Sequence, residues 1–377
     1  MFDSAEFSHD DKFTLNLLEI IFMPERINDF KCFGIINVRF LVAVLLKKDG
    51  KLIQLMQKYY QQGLLTIADR FNELSAIEPA RKLDYIRNYL CILPYFEFQQ
   101  GTKLDVPWFD DEQKSWKLKT FQMNKILLNQ QYFWMNQADL CYAYGLTEEN
   151  GLSKSLILSG TTYPCGEGFW PHVINDISIG FDVGYFLYQN GKGAMLDFLG
   201  DCPNYCEVLG TSLGGAMALQ LGLDCPNLKM VYALNPPGRI APLKETVPTA
   251  PSVVVMQAND FVSKFGYWHP QWSIIHYEFN SEANRPAHFF DHISNYALLP
   301  NLTRQKLNTA ELNQKRFWAT AGIFIGLRGL CTIILVWPIR YLIVPILKLI
   351  YAMMSTVLDC LSGQDEAATH ATSLDFS

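Results

Sequence analysis

A serine between glycines is the first place where this sequence could do covalent chemistry. Gly210-Thr211-Ser212-Leu213-Gly214 follows a short apolar stretch, Tyr205-Cys206-Glu207-Val208-Leu209, and runs into the small-residue segment 215–223. A serine hydroxyl is a weak nucleophile at neutral pH. It needs a base beside it and donors for the oxyanion that develops on the substrate. A strand that ends, turns sharply and opens a helix supplies that geometry. The serine sits at a strained apex, and the flanking glycines avoid a Cβ clash. The backbone N–H of the next residue, Leu213, then points at the developing oxyanion, and the helix N-terminus adds its positive end.

The partners must come from other elements. In α/β-hydrolase-type sheets the chain order is nucleophile, acid, histidine. The apolar strand 252–256 is followed by Gln257-Ala258-Asn259-Asp260-Phe261-Val262, so Asp260 is the expected acid. Five of the seven histidines lie after it: His269, His276, His288, His292 and His370. His370 is in a polar tail, His276 falls inside the strand 273–279, and His269 follows Asp260 too closely. His288 and His292 remain, and spacing does not separate them. The second oxyanion donor should come from an earlier strand–loop junction. Ser159-Gly160-Thr161-Thr162 ends the strand begun at Ser155, which makes Thr161 the candidate, through its N–H and its hydroxyl.

The elements that must position these residues change character along the chain. Residues 1–135 read as a helical N-terminal region or cap. Leu52, Leu55, Tyr59, Tyr60, Leu64 and Phe71 recur at helical spacing, and Glu78-Pro79-Ala80 opens a second helix through Tyr89. From about residue 138 strands and helices alternate. Strands are expected at 140–144, 155–159, 205–209, 229–234 and 252–256, with a turn at 147–151 and a helix broken by Gly180 and Gly184. The alternation predicts an α/β fold, a doubly wound and mostly parallel sheet over residues 136–312. Residues 313–361 form an apolar helical segment, and 362–377 read as a disordered tail.

Composition narrows the partners. Apolar residues make up 49% of the 377 residues and charged ones 18%, with a net charge of −6. A negative chain without basic clusters excludes nucleic acid as its main partner. The nine cysteines are scattered, and Cys202 and Cys206 have no second pair to complete a zinc site, so they read as reduced structural thiols with no metal and no cofactor expected. The N-terminal residues lack a basic region followed by an apolar run, so no Sec signal peptide is expected and synthesis is assigned to a cytosol.

In order, these residues resemble the class 3 lipases, the fungal-type triacylglycerol lipase family of the α/β-hydrolase superfamily. That family shows a strand ending in Arg-Gly-Thr, a Gly-Phe pair, a Gly-His-Ser-Leu-Gly-Gly elbow, a Gly-x-Pro turn, an Asn-Asp-x-Val-Pro segment and an Asp-His-x-x-Tyr-like segment. The corresponding runs here are Ser159-Gly160-Thr161, Gly180-Phe181, Gly210-Thr211-Ser212-Leu213-Gly214-Gly215, Leu234-Asn235-Pro236-Pro237-Gly238, Asn259-Asp260-Phe261-Val262 and Asp291-His292-Ile293-Ser294-Asn295-Tyr296. The resemblance implies Ser212 as nucleophile, Asp260 as acid, His292 rather than His288 as base, and Thr161 with the Leu213 N–H as the oxyanion hole. It also implies a lipid ester substrate, a glycerolipid or phospholipid, and places a lid near 163–172, where Phe169 and Trp170 stand. Thr211, Ser159 and Ser263 depart from the family's His, Arg and Pro and mark a divergent member.

The apolar C-terminal segment bears on location. A helix over 317–339 would be about 34 Å long, against roughly 30 Å of bilayer hydrocarbon, with Arg328 near its middle. Three arrangements are open: a membrane hairpin, interfacial helices with Arg328, Arg340 and Lys348 at the headgroups, and a packing subdomain on the catalytic core. The first two predict a membrane-associated protein that meets lipid through 317–361. The alternatives in function are a carboxylesterase or acyltransferase on the same fold, a binding protein that kept the fold without catalysis, and a secreted bacterial effector.

Overall fold

The computed structural model describes residues 50–73, 77–110, 114–129, 140–161, 168–178, 181–200, 205–257, 260, 262–279 and 302–313, with isolated positions between 326 and 353. The chain opens with helices α1 (Gly50–Glu73) and α2 (Pro79–Cys91), the second with a proline in its first turn, where a missing N–H costs nothing. Tyr60, Leu64, Ile67 and Phe71 of α1 and Tyr85, Ile86, Tyr89 and Leu90 of α2 are buried at helical spacing. Strands β1 (Lys103–Asp110), β2 (Ser115–Leu127), β3 (Tyr142–Glu148) and β4 (Ser153–Leu158) follow. Then come α3 (Phe169–Ile177), α4 (Tyr185–Leu199), β5 (Tyr205–Thr211), α5 (Leu213–Asp224), β6 (Met230–Leu234), β7 (Ser252–Gln257), β8 (Ser273–Phe279) and β9 (Leu302–Leu307).

The strands form one mixed sheet of nine in the order of the chain, β1 to β9. β4 to β8 are parallel, while β1 to β4 and β8 to β9 pair antiparallel. An α/β architecture is therefore present, but the winding differs from the expected one. A doubly wound sheet reverses its strand order and covers its two faces with its own crossover helices. Here the order never reverses, and α4 and α5 share one face with Leu156, Leu158, Val208, Val231, Ala233 and Val254. The other face carries Ile157, Leu209, Tyr232, Leu234, Val255 and Ile275, and it is closed by α1 and α2, which precede the sheet. The period-two alternation sends successive residues of each strand into these two cores.

The first third of the chain holds a second correction. The helical expectation suits 50–91, but 103–127 is a β-hairpin in register from Lys103↔Gln122 to Asp110↔Ser115. Leu104 and Val106 alternate with Lys103 and Asp105, a strand pattern that Pro107 interrupts. β1 is an edge strand, and a proline on an edge strand costs no ladder bond. The hairpin continues the sheet through β3.

At the C-terminus, Arg328 is 8% exposed, and its guanidinium donates to the Phe181 carbonyl at 3.2 Å. That contact ties Arg328 to the segment just before α4. Leu330, Ile333, Ile334, Ile346, Leu349 and Met353 are nonetheless exposed. Among the described residues, no helix is long and apolar enough to cross a membrane. The expected tail, 362–377, lies outside the described residues.

Candidate active site

β5 delivers Ser212 to the carboxyl edge of the parallel strands. Ser212 has φ 50° and ψ −120°, a positive-φ conformation rare for a residue with a Cβ. The strain is held from both sides: its N–H donates to the Leu234 carbonyl of β6 at 2.9 Å, and its carbonyl accepts from the Ala216 N–H at 3.0 Å in α5. The two flanking glycines are required by close approach. A Cβ on Gly210 would lie 2.3 Å from the Gly214 carbonyl oxygen, and one on Gly214 would lie 2.2 Å from the Leu158 carbonyl oxygen. So the turn packs against itself and against the end of β4, and α5 begins at Leu213 with its N-terminus at the serine.

The sheet register brings Thr161 beside this turn. Leu158 of β4 pairs with Gly210 of β5, and a Cβ on Gly160 would lie 3.0 Å from the Thr211 carbonyl oxygen, so the segment entering Thr161 leaves the sheet beside the Ser212 turn. The Thr161 hydroxyl donates to the Asp176 carboxylate on α3. That hydroxyl hydrogen is then directed at Asp176. The sequence suggested both the hydroxyl and the N–H of Thr161. Asp176 was not foreseen, because its contact with Thr161 depends on α3 packing beside the segment that leaves β4.

Ser159 and His172 form a second contact under the same segment. The His172 ring is 1% exposed, with Nε2 2.8 Å from Cys141 Sγ and 3.3 Å from Ser159 Oγ. Burial pulls the His172 pKa down to about 3, so the ring is neutral across the physiological range. It joins the start of β3 to the end of β4, just before Gly160 and Thr161. The sequence placed His172 at the end of a lid segment; in the structure it is a buried residue of α3. Trp170 of the same helix is 56% exposed, and residues 162–167 lie outside the described residues.

Asp260 follows β7, two strands from Ser212, at the same edge. It is fully buried, and its two carboxylate oxygens accept from the Val262 and Ser263 N–H groups, each at 3.1 Å. These bonds fix the carboxylate at the head of a 3-10 turn, Val262–Lys264. A buried pair braces the approach: Asn235 Nδ2 donates to Gln257 Oε1 at 2.9 Å, and the Gln257 N–H donates to Asn235 Oδ1 at 2.9 Å. Asn235, at φ 45°, follows β6, so this pair clamps the ends of β6 and β7 together.

The histidines divide as follows. His276 is a residue of β8, and His269 is fully buried with Nδ1 accepting from the Gln271 N–H at 3.2 Å. Burial lowers the His269 pKa. His288 and His292, the two candidates for the expected base, lie outside the described residues. Among the described residues, no group of three or more metal-ligating side chains occurs.

No protein-family model and no curated protein sequence matches the chain. Among solved structures, the chain is similar to a triacylglycerol lipase from Penicillium expansum, at TM-score 0.31 and 11% identity over 64% of this chain and 87% of that one. It is also similar to the Lip2 lipase from Yarrowia lipolytica, at TM-score 0.30 and 11% identity over 65% and 89% of the two chains. Likenesses this distant do not assign roles, which rest on the geometry of the site.

Proposed function

We propose that the chain is a serine hydrolase of the α/β-hydrolase type that cleaves lipid carboxylic esters through an acyl-serine intermediate. The observation that carries this reading is the conformation of Ser212, strained at φ 50° between a strand and a helix N-terminus, with glycines on both sides that admit no Cβ. Strain of this kind persists only where the surroundings over-determine it, and here it lifts a hydroxyl to the edge of the sheet.

In the proposed reaction, His292 takes the Ser212 proton as Oγ attacks the ester carbonyl. The protonated ring then gives that proton to the departing alcohol. Water, deprotonated by the same ring, releases the acid and restores the serine. Asp260 orients the ring. The Leu213 and Thr161 N–H groups hold the oxyanion, with Asp176 fixing Thr161. The lipid assignment is supported by exposed apolar groups on the same side of the chain's fold as α3. Trp170, Ile174 and Phe181 are exposed, and Arg328 attaches the apolar C-terminal segment at the Phe181 carbonyl. We propose that this apolar surface rests on a membrane with the site facing it.

A fluorophosphonate probe tests the chemistry. Wild type should label once and Ser212→Ala should not, and His292→Ala should lose labelling while His288→Ala keeps it. Equal labelling of wild type and Ser212→Ala would sink the assignment. Comparing lipids after incubation with wild type and with Ser212→Ala would identify the ester class.

A further inference from the structure

β5 carries a second unusual residue. Glu207 lies five positions before Ser212, about 16 Å away along the strand, and its side chain enters the opposite core from Val208. It is 4% exposed. The Arg87 guanidinium of α2 reaches it, Nε to Oε2 at 3.5 Å, and the Ser155 hydroxyl donates to Oε1 at 2.9 Å. The Arg87 guanidinium also lies 5.6 Å over the Tyr232 ring.

These three polar residues form one wall of a cavity of about 390 Å³ between α2 and the β1–β2 hairpin. Its other walls are apolar, chiefly Leu83 and Ile86 of α2 and Trp108, Phe109 and Phe121 of the hairpin. The volume is that of a small-molecule pocket, and the composition is that of one too: apolar sides with a few convergent polar groups. The pair also limits what fits. Arg87 and Glu207 sum to zero charge, and they pair with one another. A carboxylate or an ammonium brought against them would bury a net charge in an apolar space, at a cost the pair cannot offset. A hydroxyl or amide both donates and accepts, and so can bond to the guanidinium and the carboxylate at once.

We propose that this cavity is a binding site for an uncharged amphiphile, an apolar body ending in a hydroxyl or amide that hydrogen-bonds the Arg87–Glu207–Ser155 wall. It lies toward the amino ends of the parallel strands, away from the carboxyl edge that carries Ser212, and is separate from the proposed active site.

The test uses the full chain labelled at Ser212 with a fluorophosphonate, so that binding at the proposed active site is blocked. Should the chain not label, the unlabelled Ser212→Ala chain serves, and the two hypotheses stay separable. Decanol, decanoate and decylamine are titrated by calorimetry, giving one tail with three heads. Decanol should saturate a single site, with decanoate and decylamine at least about tenfold weaker, because each would bury a net charge beside the neutral pair. The double variant Arg87→Gln with Glu207→Gln should weaken decanol about tenfold and narrow the gap between heads. Leu83→Trp, which fills the cavity, should abolish binding. If Leu83→Trp does not fold, Ser155→Ala serves as the milder probe and should weaken decanol measurably. Equal affinity for the three heads, or decanol affinity untouched by the Gln pair and by Ser155→Ala, overturns the proposal. Tight binding seen only after deleting residues 1–49 would assign the cavity to that segment and overturn it as well.

Discussion

The two ends of β5 solve opposite problems with the same strand. At the carboxyl end, Ser212 is held in an unfavourable backbone conformation so that a neutral hydroxyl stands at the sheet edge. At the amino end, Glu207 keeps ordinary strand geometry and turns a charged group inward, where Arg87 and Ser155 must satisfy it. The proposed reactivity at one end would draw on backbone strain. The proposed selectivity at the other would draw on side-chain pairing inside an apolar wall. A parallel strand can carry both because its carboxyl end meets a helix N-terminus, while its amino end is covered by helices from elsewhere in the chain.

The largest effect should come from the apex. Ser212→Ala is expected to lower ester hydrolysis by about 10⁴-fold or more with little change in stability, read by turnover and thermal melting together. Retained turnover would mean that the strained serine is not the nucleophile. Gly214→Ala should follow. Its Cβ would meet the Leu158 carbonyl at 2.2 Å, so a loss of about 3 kcal/mol in urea unfolding is expected, with labelling lost alongside. The same change at Gly193, which has open space around it, should cost nothing comparable.

Asp176→Asn sharpens the oxyanion side. It leaves the size of the side chain unchanged but weakens the hold on the Thr161 hydroxyl, and kcat should fall about 10- to 100-fold with KM nearly constant. A change confined to KM would place Asp176 in substrate binding instead. His172 gives a smaller, pH-dependent effect. Its folded pKa, about 3, lies below the ordinary value of 6.5, so the unfolded chain binds the proton first. Stability is therefore present above pH 6.5 and declines as pH falls toward 3, by up to about 1.4 kcal/mol per unit from this one group. His172→Phe should flatten that window in urea titrations at pH 7, 5 and 4. The smallest expected effect tests the separation of the two ends. Glu207→Gln should leave the rate of fluorophosphonate labelling within about twofold of wild type, as independent sites do. A larger change would show that the ends of β5 are coupled.

Much of the scaffold is legible in the sequence. The strands at 205–211, 230–234 and 252–257 announce themselves as apolar runs, and the small residues after Ser212 require a helix that packs closely. The hairpin at 103–127 was obscured because Pro107 breaks the strand pattern, and only an edge position tolerates it. The winding is hidden for a different reason. Alternating strands and helices are common to sheets that reverse and sheets that do not, and local pattern carries no information about which neighbour a strand chooses.

The sequence by itself determined the turn at Ser212, the acid-bearing loop after β7 and the junction after β4 that carries Thr161. Each depends on residues within a few positions of one another, and local sterics decide them. Tertiary structure alone decided that Asp176 holds Thr161, that His172 bridges Cys141 and Ser159, that Asn235 clamps Gln257 and that Arg87 meets Glu207. Those partners come from different elements, and their polar groups are worth pairing only because the fold has first taken them out of water.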